Sequence, residues 1–301
     1  MDAWIRTLEA ILDAPGVVAM LGAVDVGKTT TATAIASAVI LAKRRTAVVD
    51  TDIGQSDIGP PTTVGLSVPR RPARRMREWG ALATFFVGDT SPQDVYPYLI
   101  EGAIRSIERA RARQAEVIVM DTTGWVEGAA AVAAKTRKLR RIDLQHVVAI
   151  QRHGEVEPIL ERLPRSIAVH RLRPSARVRR RSRELRRAAR LRRFQEYFMR
   201  ARPHTLPLGT LLADRLPVYE GREVPQARML AVIPAWALRH LLVGLADREG
   251  WLRALGSVVE TAPAQQTVTV MAPVRSLAGV GILQWGVLRV APSGIEVGRL
   301  A

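Results

Sequence analysis

In "VVAMLGAVDVGKTTTATAIA" (residues 17–36), small apolar residues run into a glycine-flanked turn and leave it as an alanine-rich, helix-forming stretch. Gly22, Ala23, Val24, Asp25, Val26, Gly27, Lys28 and Thr29 satisfy GxxxxGK[ST], and Thr30 opens the helix with them. In such a loop the backbone amides wrap a β-phosphate, the lysine reaches β and γ oxygens, and the hydroxyl ligates Mg²⁺. The apolar "GVVAML" before it reads as a buried strand and "KTTTATAIASAVILAKRR" after it as a helix, the setting a phosphate loop requires. A nucleoside triphosphate site is expected here.

Outward from this loop, "TAVVDTD" (46–52) and "AEVIVMDTTG" (115–124) read as strands that end in acids. "ALATFFVGD" (81–89), "HVVAIQ" (146–151) and "SIAVHRL" (166–172) read as further strands, with helices over residues 93–113 and 155–163. Residues 53–80 read as a Gly/Pro-rich loop and an arginine-rich stretch. Alternating strands and helices predict an α/β fold, a P-loop parallel sheet with flanking helices whose ligands sit at the carboxyl ends of the strands. Asp50, Asp52, Asp121 and the loop would meet there. After residue 204 short apolar alternations broken by Gly and Pro predict a small β-rich domain over 205–301, so the first domain spans 1–204.

Other phosphate-loop classes fit less well. A guanine-reading NKxD sequence is absent where "VVAIQRHGE" (147–155) stands, and a MinD-like ATPase would carry a second lysine where Gly22 and Ala23 lie. Composition narrows the chemistry further. With no cysteine, disulfides and thiolate chemistry are excluded, and the five histidines show no ligand spacing, so a metal must be held by oxygen. Residues 32–42, the longest kind of apolar run here, are too short to span a bilayer, and no secretory signal opens the chain, so a cytoplasmic location without membrane attachment is expected. The net charge of +17 calls for a polyanionic partner. Only four of the 45 basic residues are lysine (Lys28, Lys43, Lys135 and Lys138), and arginines concentrate in residues 171–202.

Three more segments carry a family resemblance. "DTDIGQSDIGPP" (50–61) resembles a DxDxGQ motif, "DTTGWVEG" (121–128) a TxGW[VI]xG motif, and "RSRELRRAARLRRFQEYF" (181–198) an arginine-rich lid ending in Tyr-Phe. With the phosphate loop, they resemble the Clp1/Grc3 family of P-loop polynucleotide 5′-hydroxyl kinases. "FFVGDTSPQDVYPYL" (85–99) is similar to that family's Gly-x-x-Ser/Thr-Pro segment, and residues 259–274 and 279–296 to its terminal domain. Only "MDAWIRTLEAILDAP" (1–15) precedes the first strand, so the form resembled lacks a separate N-terminal β domain.

Phosphoryl transfer needs a positioned hydroxyl, a proton acceptor, a metal across the phosphates and cations for the equatorial oxygens. Lys28 and Thr29 serve the donor phosphates and Mg²⁺, Asp52 is the candidate base, and Asp50 and Gln55 support metal water or substrate. Asp121, ending an apolar strand, takes the position of a Walker B carboxylate and a second metal ligand. Trp125, on a glycine loop, is placed to stack on a terminal base, against the alternative of a core tryptophan. The resemblance implies that it clasps this base near Gly88 and Thr90, and that Arg181, Arg186 and Arg190 belong to a lid over about 174–202. Arg186, Arg190 and Arg193 share a helical face, with Arg186 and Arg190 as catalytic cations and Arg181 and Arg193 toward substrate. Arg70, Arg71, Arg74 and Arg75 are expected along the nucleic-acid backbone. The expected activity is transfer of the γ-phosphate of ATP to the 5′-hydroxyl of RNA, DNA or both. The alternatives are an ATP-binding scaffold of an RNA-processing complex, and a kinase of small hydroxylated molecules.

Overall fold

The computed structural model describes residues 2–300, which form two units. One runs from the N-terminal helix to Gly59 and adds Val64–Ala83 and Ser91–Ser182. The other takes Pro60–Thr63, Thr84–Thr90 and the described chain from Arg183 on.

In the first unit α1 (Asp2–Asp13) precedes β1 (Val17–Leu21), α2 (Lys28–Leu41), β2 (Thr46–Thr51), β3 (Thr63–Ser67) and β4 (Ala83–Phe86). Next come α3 (Tyr96–Ala112), β5 (Val117–Thr122), α4 (Ala129–Arg141), β6 (Leu144–Ile150), α5 (Glu157–Leu160) and β7 (Ala168–Leu172). The seven-stranded sheet has the order β4-β3-β2-β5-β1-β6-β7, and β4 passes to the second unit at Thr84. From β2 to β7 all neighbours are parallel. The physical reason lies in composition: β1, β2 and β5 are buried at every residue, as strands covered by helices on both faces must be. Ile35 and Val39 of α2 pack with Val18, Val48, Val119 and Val148 beneath that helix.

The strands anticipated from apolar runs are present, and the exception is β3. Residues 63–67, read as part of a loop, form a strand antiparallel to β2, pairing Val48 with Ser67 and Asp50 with Gly65. A five-residue strand interrupted by glycine carries too little periodicity to declare itself.

The second unit holds α6 (Arg183–Phe198), β8 (Arg202–Pro207), β9 (Leu212–Arg215), β10 (Val218–Tyr219), β11 (Arg222–Glu223), α7 (Gln226–Val232) and α8 (Ala235–Leu238). They are followed by β12 (Leu241–Ala246), β13 (Leu252–Ala262), β14 (Thr267–Ala272), β15 (Ile282–Val290) and β16 (Glu296–Arg299). Its main sheet runs β16-β15-β12-β13-β14-β8, antiparallel throughout, with β9 added in parallel on β15. The structural division after Ser182 differs from the boundary after residue 204 read from composition. Phe194 and Phe198 of α6 are buried among Leu242, Leu255, Leu288 and Val290, so the arginine-rich helix is counted with the C-terminal sheet. Each buried ring stabilises that placement by about 2 kcal/mol.

Candidate active site

The order β2-β5-β1 sets three loops side by side at the carboxyl ends of parallel strands, and the chemistry collects there. The phosphate loop links β1 to α2, and Gly27 caps the helix in the left-handed conformation (φ 93°). Lys28 is buried, with Nζ donating to the Ala23 carbonyl at 2.7 Å, and burial lowers its pKa. Thr29 Oγ1 donates to Asp121 Oδ2 at 2.5 Å, while the Thr122 amide donates to Asp121 Oδ1 at 2.9 Å. The loop after β5 closes on the phosphate loop at Gly124. A Cβ there would lie 2.7 Å from the Val24 amide nitrogen, so only glycine permits the approach.

The acids divide by surroundings. Asp50 is buried and accepts from the amides of Asp52, Asp57 and Ile58 at 3.0, 2.6 and 3.0 Å, with Ser56 Oγ at 3.4 Å. These partners bind the carboxylate within its own loop and shape residues 52–58. Burial first, and then Asp121, push its pKa well up. Asp52 is half-buried, and its Oδ1 accepts from the amides of Gly54 and Gln55, each at 3.2 Å. This turn fixes the side chain with one oxygen directed inward. Gln55 donates from Nε2 to the Gly54 carbonyl at 2.8 Å. Asp121 is raised to about 6 by burial, opposed by Lys28 and the Thr29 hydroxyl.

Two residues that motif reading passed over lie behind this centre. Lys135 and Lys138 of α4 are both wholly buried, and burial lowers both pKa values, that of Lys138 to about 7. Their sequence signal is faint: in "AAAVAAKTRKLRR" they look like a solvated face, and only their being lysines in an arginine-rich chain marks them. Trp125 is half-buried and meets Tyr96 edge-to-face at 5.9 Å. The Tyr96 hydroxyl is buried, with no hydrogen-bond partner among the described residues.

Of the expected lid residues, Arg181 is brought to the phosphate loop. Its amide donates to Asp25 Oδ2 at 2.8 Å and its Nε to Oδ1 at 3.2 Å. Arg186, Arg190 and Arg193 lie on α6 in the second unit. Arg190, expected as a phosphate cation, is instead forked onto Glu296 at 2.6 and 3.2 Å, and Arg193 pairs with Glu196 at 3.8 Å. Gly88 and Thr90 also belong to the second unit. The Gly88 carbonyl accepts from the amides of Val287 and Leu288, and the Thr90 amide donates to Asp89, whose carboxylate is gripped by Arg299 at 2.9 and 3.0 Å.

Arg70, Arg71, Arg74 and Arg75 are all exposed, and the segment leaves β3 beside the start of β2, at the opposite end of the sheet from the phosphate loop. Arg70 and Arg71 line a cleft of about 1390 Å³ with Lys43, Arg44, Arg45 and Arg113, where α2 ends and β2 begins. The 14 residues of α2 put the cleft about 20 Å from the loop.

Among the described residues no group of three or more His, Asp or Glu side chains forms a cation site of its own. The close hydroxyl–carboxylate pair of Thr29 and Asp121 is an oxygen donor set suited to a Mg²⁺ that arrives with phosphates.

Residues 22–200 match the family described as mRNA cleavage and polyadenylation factor CLP1 P-loop. The chain belongs to this CLP1 P-loop family. Similar members include the polyribonucleotide 5′-hydroxyl-kinase of Thermococcus kodakarensis, 28% identical over 98% of this chain and 95% of that protein. The polyribonucleotide 5′-hydroxyl-kinase of Methanocaldococcus jannaschii is 24% identical over 93% of this chain and 89% of its own length. The Clp1p of a Clp1p–Pcf11p complex superposes with a TM-score of 0.67 at 11% identity, covering 96% of this chain and 79% of that one, a likeness of fold. The CLP1 fold thus includes both the P-loop sheet and the antiparallel sheet found here. No helix among the described residues is long and apolar enough to cross a membrane.

Proposed function

We propose that the chain is an ATP- and Mg²⁺-dependent polynucleotide 5′-hydroxyl kinase, acting on RNA, DNA or both. The observation that carries this reading is the convergence of Lys28, the Thr29–Asp121 pair and Asp52 at neighbouring strand ends in a CLP1 P-loop domain. The relatives named above as polyribonucleotide kinases, aligned over nearly the whole chain, support it.

In the reaction the acceptor O5′ bonds to the γ-phosphorus as the bond to the β–γ bridging oxygen breaks, releasing ADP. Asp52 orients the 5′-hydroxyl and takes its proton. The amides of residues 22–30 and the Lys28 ammonium hold the β and γ oxygens. Thr29 and Asp121 would hold Mg²⁺, which supplies charge neutralisation across those phosphates. Arg181, tied to Asp25, places a cation at the loop's rim. Trp125 presents a face for the terminal base, and stacking of that kind tolerates any base. Gly88, Thr90 and the α6 arginines Arg186, Arg190 and Arg193 stand in the same proposal as acceptor and phosphate contacts. Arg190 must exchange Glu296 for phosphate to serve there.

The test is incubation with γ-labelled ATP, Mg²⁺ and matched 5′-hydroxyl RNA and DNA oligonucleotides. Label at the 5′ end, lost in Lys28→Ala, is expected. ATP binding without label on any end would assign the chain to nucleotide-dependent assembly instead.

A further inference from the structure

Lys135 and Lys138, three residues apart on α4, direct their amines at the exits of the strands that bear the site. Lys135 Nζ donates to the Thr123 carbonyl at 2.8 Å, to Thr123 Oγ1 at 2.9 Å and to Thr122 Oγ1 at 3.4 Å. Three oxygens thus surround one lysine amine, as many as its charged form has protons. Thr122 Oγ1 in turn donates to the Met20 carbonyl of β1 at 2.7 Å. Lys138 Nζ donates to Thr51 Oγ1 at 2.6 Å, and Thr51 Oγ1 donates to the Asp121 carbonyl at 2.7 Å. Two side chains of one helix therefore tie together the carboxyl ends of β2, β5 and β1. Each tie ends one residue from a site residue or its loop: Thr51 precedes Asp52, Thr122 follows Asp121, and Thr123 precedes the Gly124–Trp125 turn.

Burying two lysine amines is costly whether they stay charged or give up a proton, and a packed hydrophobic pair would fill the space more cheaply. Of the chain's two other lysines, Lys28 is buried in the phosphate loop, where phosphate accounts for it, and Lys43 is exposed. Elsewhere the chain uses arginine as its cation. A planar guanidinium with five donors would not fit where a compact lysine amine is surrounded by three hydroxyl and carbonyl oxygens.

We propose that Lys135 and Lys138 are positioning residues of the phosphotransfer site, Lys138 aiming Asp52 through Thr51 and Lys135 holding the Trp125 loop through Thr123. The inference rests on the kinase reading and adds a division of labour to it. Lys138 governs turnover, because a displaced base loses the acceptor proton. Lys135 governs acceptor binding, because a displaced loop loses the base platform. Displacements of this order at a reacting centre cost tenfold to a hundredfold.

The experiment is steady-state kinetics on full-length Lys138→Met and Lys135→Met with labelled ATP and a 5′-hydroxyl oligonucleotide, alongside calorimetric ATP affinity and Tm. Thr51→Val and Thr123→Val break the same ties from the other side and carry the test if a lysine variant fails to fold. Lys138→Met and Thr51→Val are expected to lower kcat about tenfold or more with ATP affinity within about threefold of wild type. Lys135→Met and Thr123→Val are expected to raise the acceptor KM about tenfold with a smaller change in kcat. In the Lys138→Met/Thr51→Val double variant the second substitution should add little, since both remove one contact. Lower Tm with no split between kcat and acceptor KM would reduce both lysines to structural groups and overturn the inference alone. A wild type that binds ATP yet transfers no phosphate would overturn the kinase reading and this inference with it.

Discussion

Asp50 and Asp52 stand two residues apart at the end of β2, and their hydrogen bonds separate them. Asp50 is saturated by its own loop, whereas Asp52 spends one oxygen on its turn and is half-buried. Asp52→Asn keeps the turn's acceptor and removes the proton acceptor, so kcat should fall about 10² to 10⁴-fold while ATP affinity holds. Turnover at the wild-type rate would remove Asp52 from the base role. The motif "DTDIGQ" placed both acids at the site, but their division of roles depends on the fold of residues 52–58, which no spacing rule specifies. Asp121 has a consequence that reads out in stability. Its pKa is raised to about 6 in the fold, so the fold favours its protonated form. That contribution is full below about pH 4, the ordinary aspartate range, and is lost as the pH rises through 6. In nucleotide-free protein, the Tm of Asp121→Asn should gain on that of wild type between pH 4 and 6.5. A pH-independent difference would contradict the raised value.

Among the elements, the stretch from β1 through α2 was readable because glycines at fixed spacing leave the backbone few alternatives. The short β3 was not, and α6 was readable as a helix but not as a neighbour of β12 and β15. Its arginines dominate the sequence, while two phenylalanines, Phe194 and Phe198, decide where it packs. Such long-range choices are invisible to local periodicity. The turn after β5 belongs to the same scale. Gly124 lets it reach Val24, and Trp125 then rests on Tyr96. Trp125→Ala should raise the acceptor KM about tenfold, from a stacking loss of about 1 to 3 kcal/mol, with Tm lowered only slightly. An unchanged KM with a large loss of Tm would make it a packing residue.

Across the molecule, a net charge of +17 is read directly from composition, but where it gathers is not. The sequence set Arg70, Arg71, Arg74 and Arg75 beside the polynucleotide. The fold places Arg70 and Arg71 in a cleft with Lys43, Arg44, Arg45 and Arg113, about 20 Å from the phosphate loop. Only an acceptor long enough to pass that distance can feel them. Arg70→Ala/Arg71→Ala should leave turnover of a dinucleotide unchanged, weaken binding of a long single strand, and reduce its log-log salt slope by about 1 to 2. Identical salt slopes for long strands would detach this cleft from the substrate.

The distribution of lysines has a practical corollary. Lys28, Lys135 and Lys138 are 7%, 0% and 0% exposed, whereas Lys43 sits on an open turn with φ 62° just past α2. An acylating reagent meets a single accessible side-chain amine. A side-chain dye or tether therefore attaches at Lys43, in the arginine cleft and a helix length from the phosphate loop, where it reports directly on whether a long strand enters that cleft.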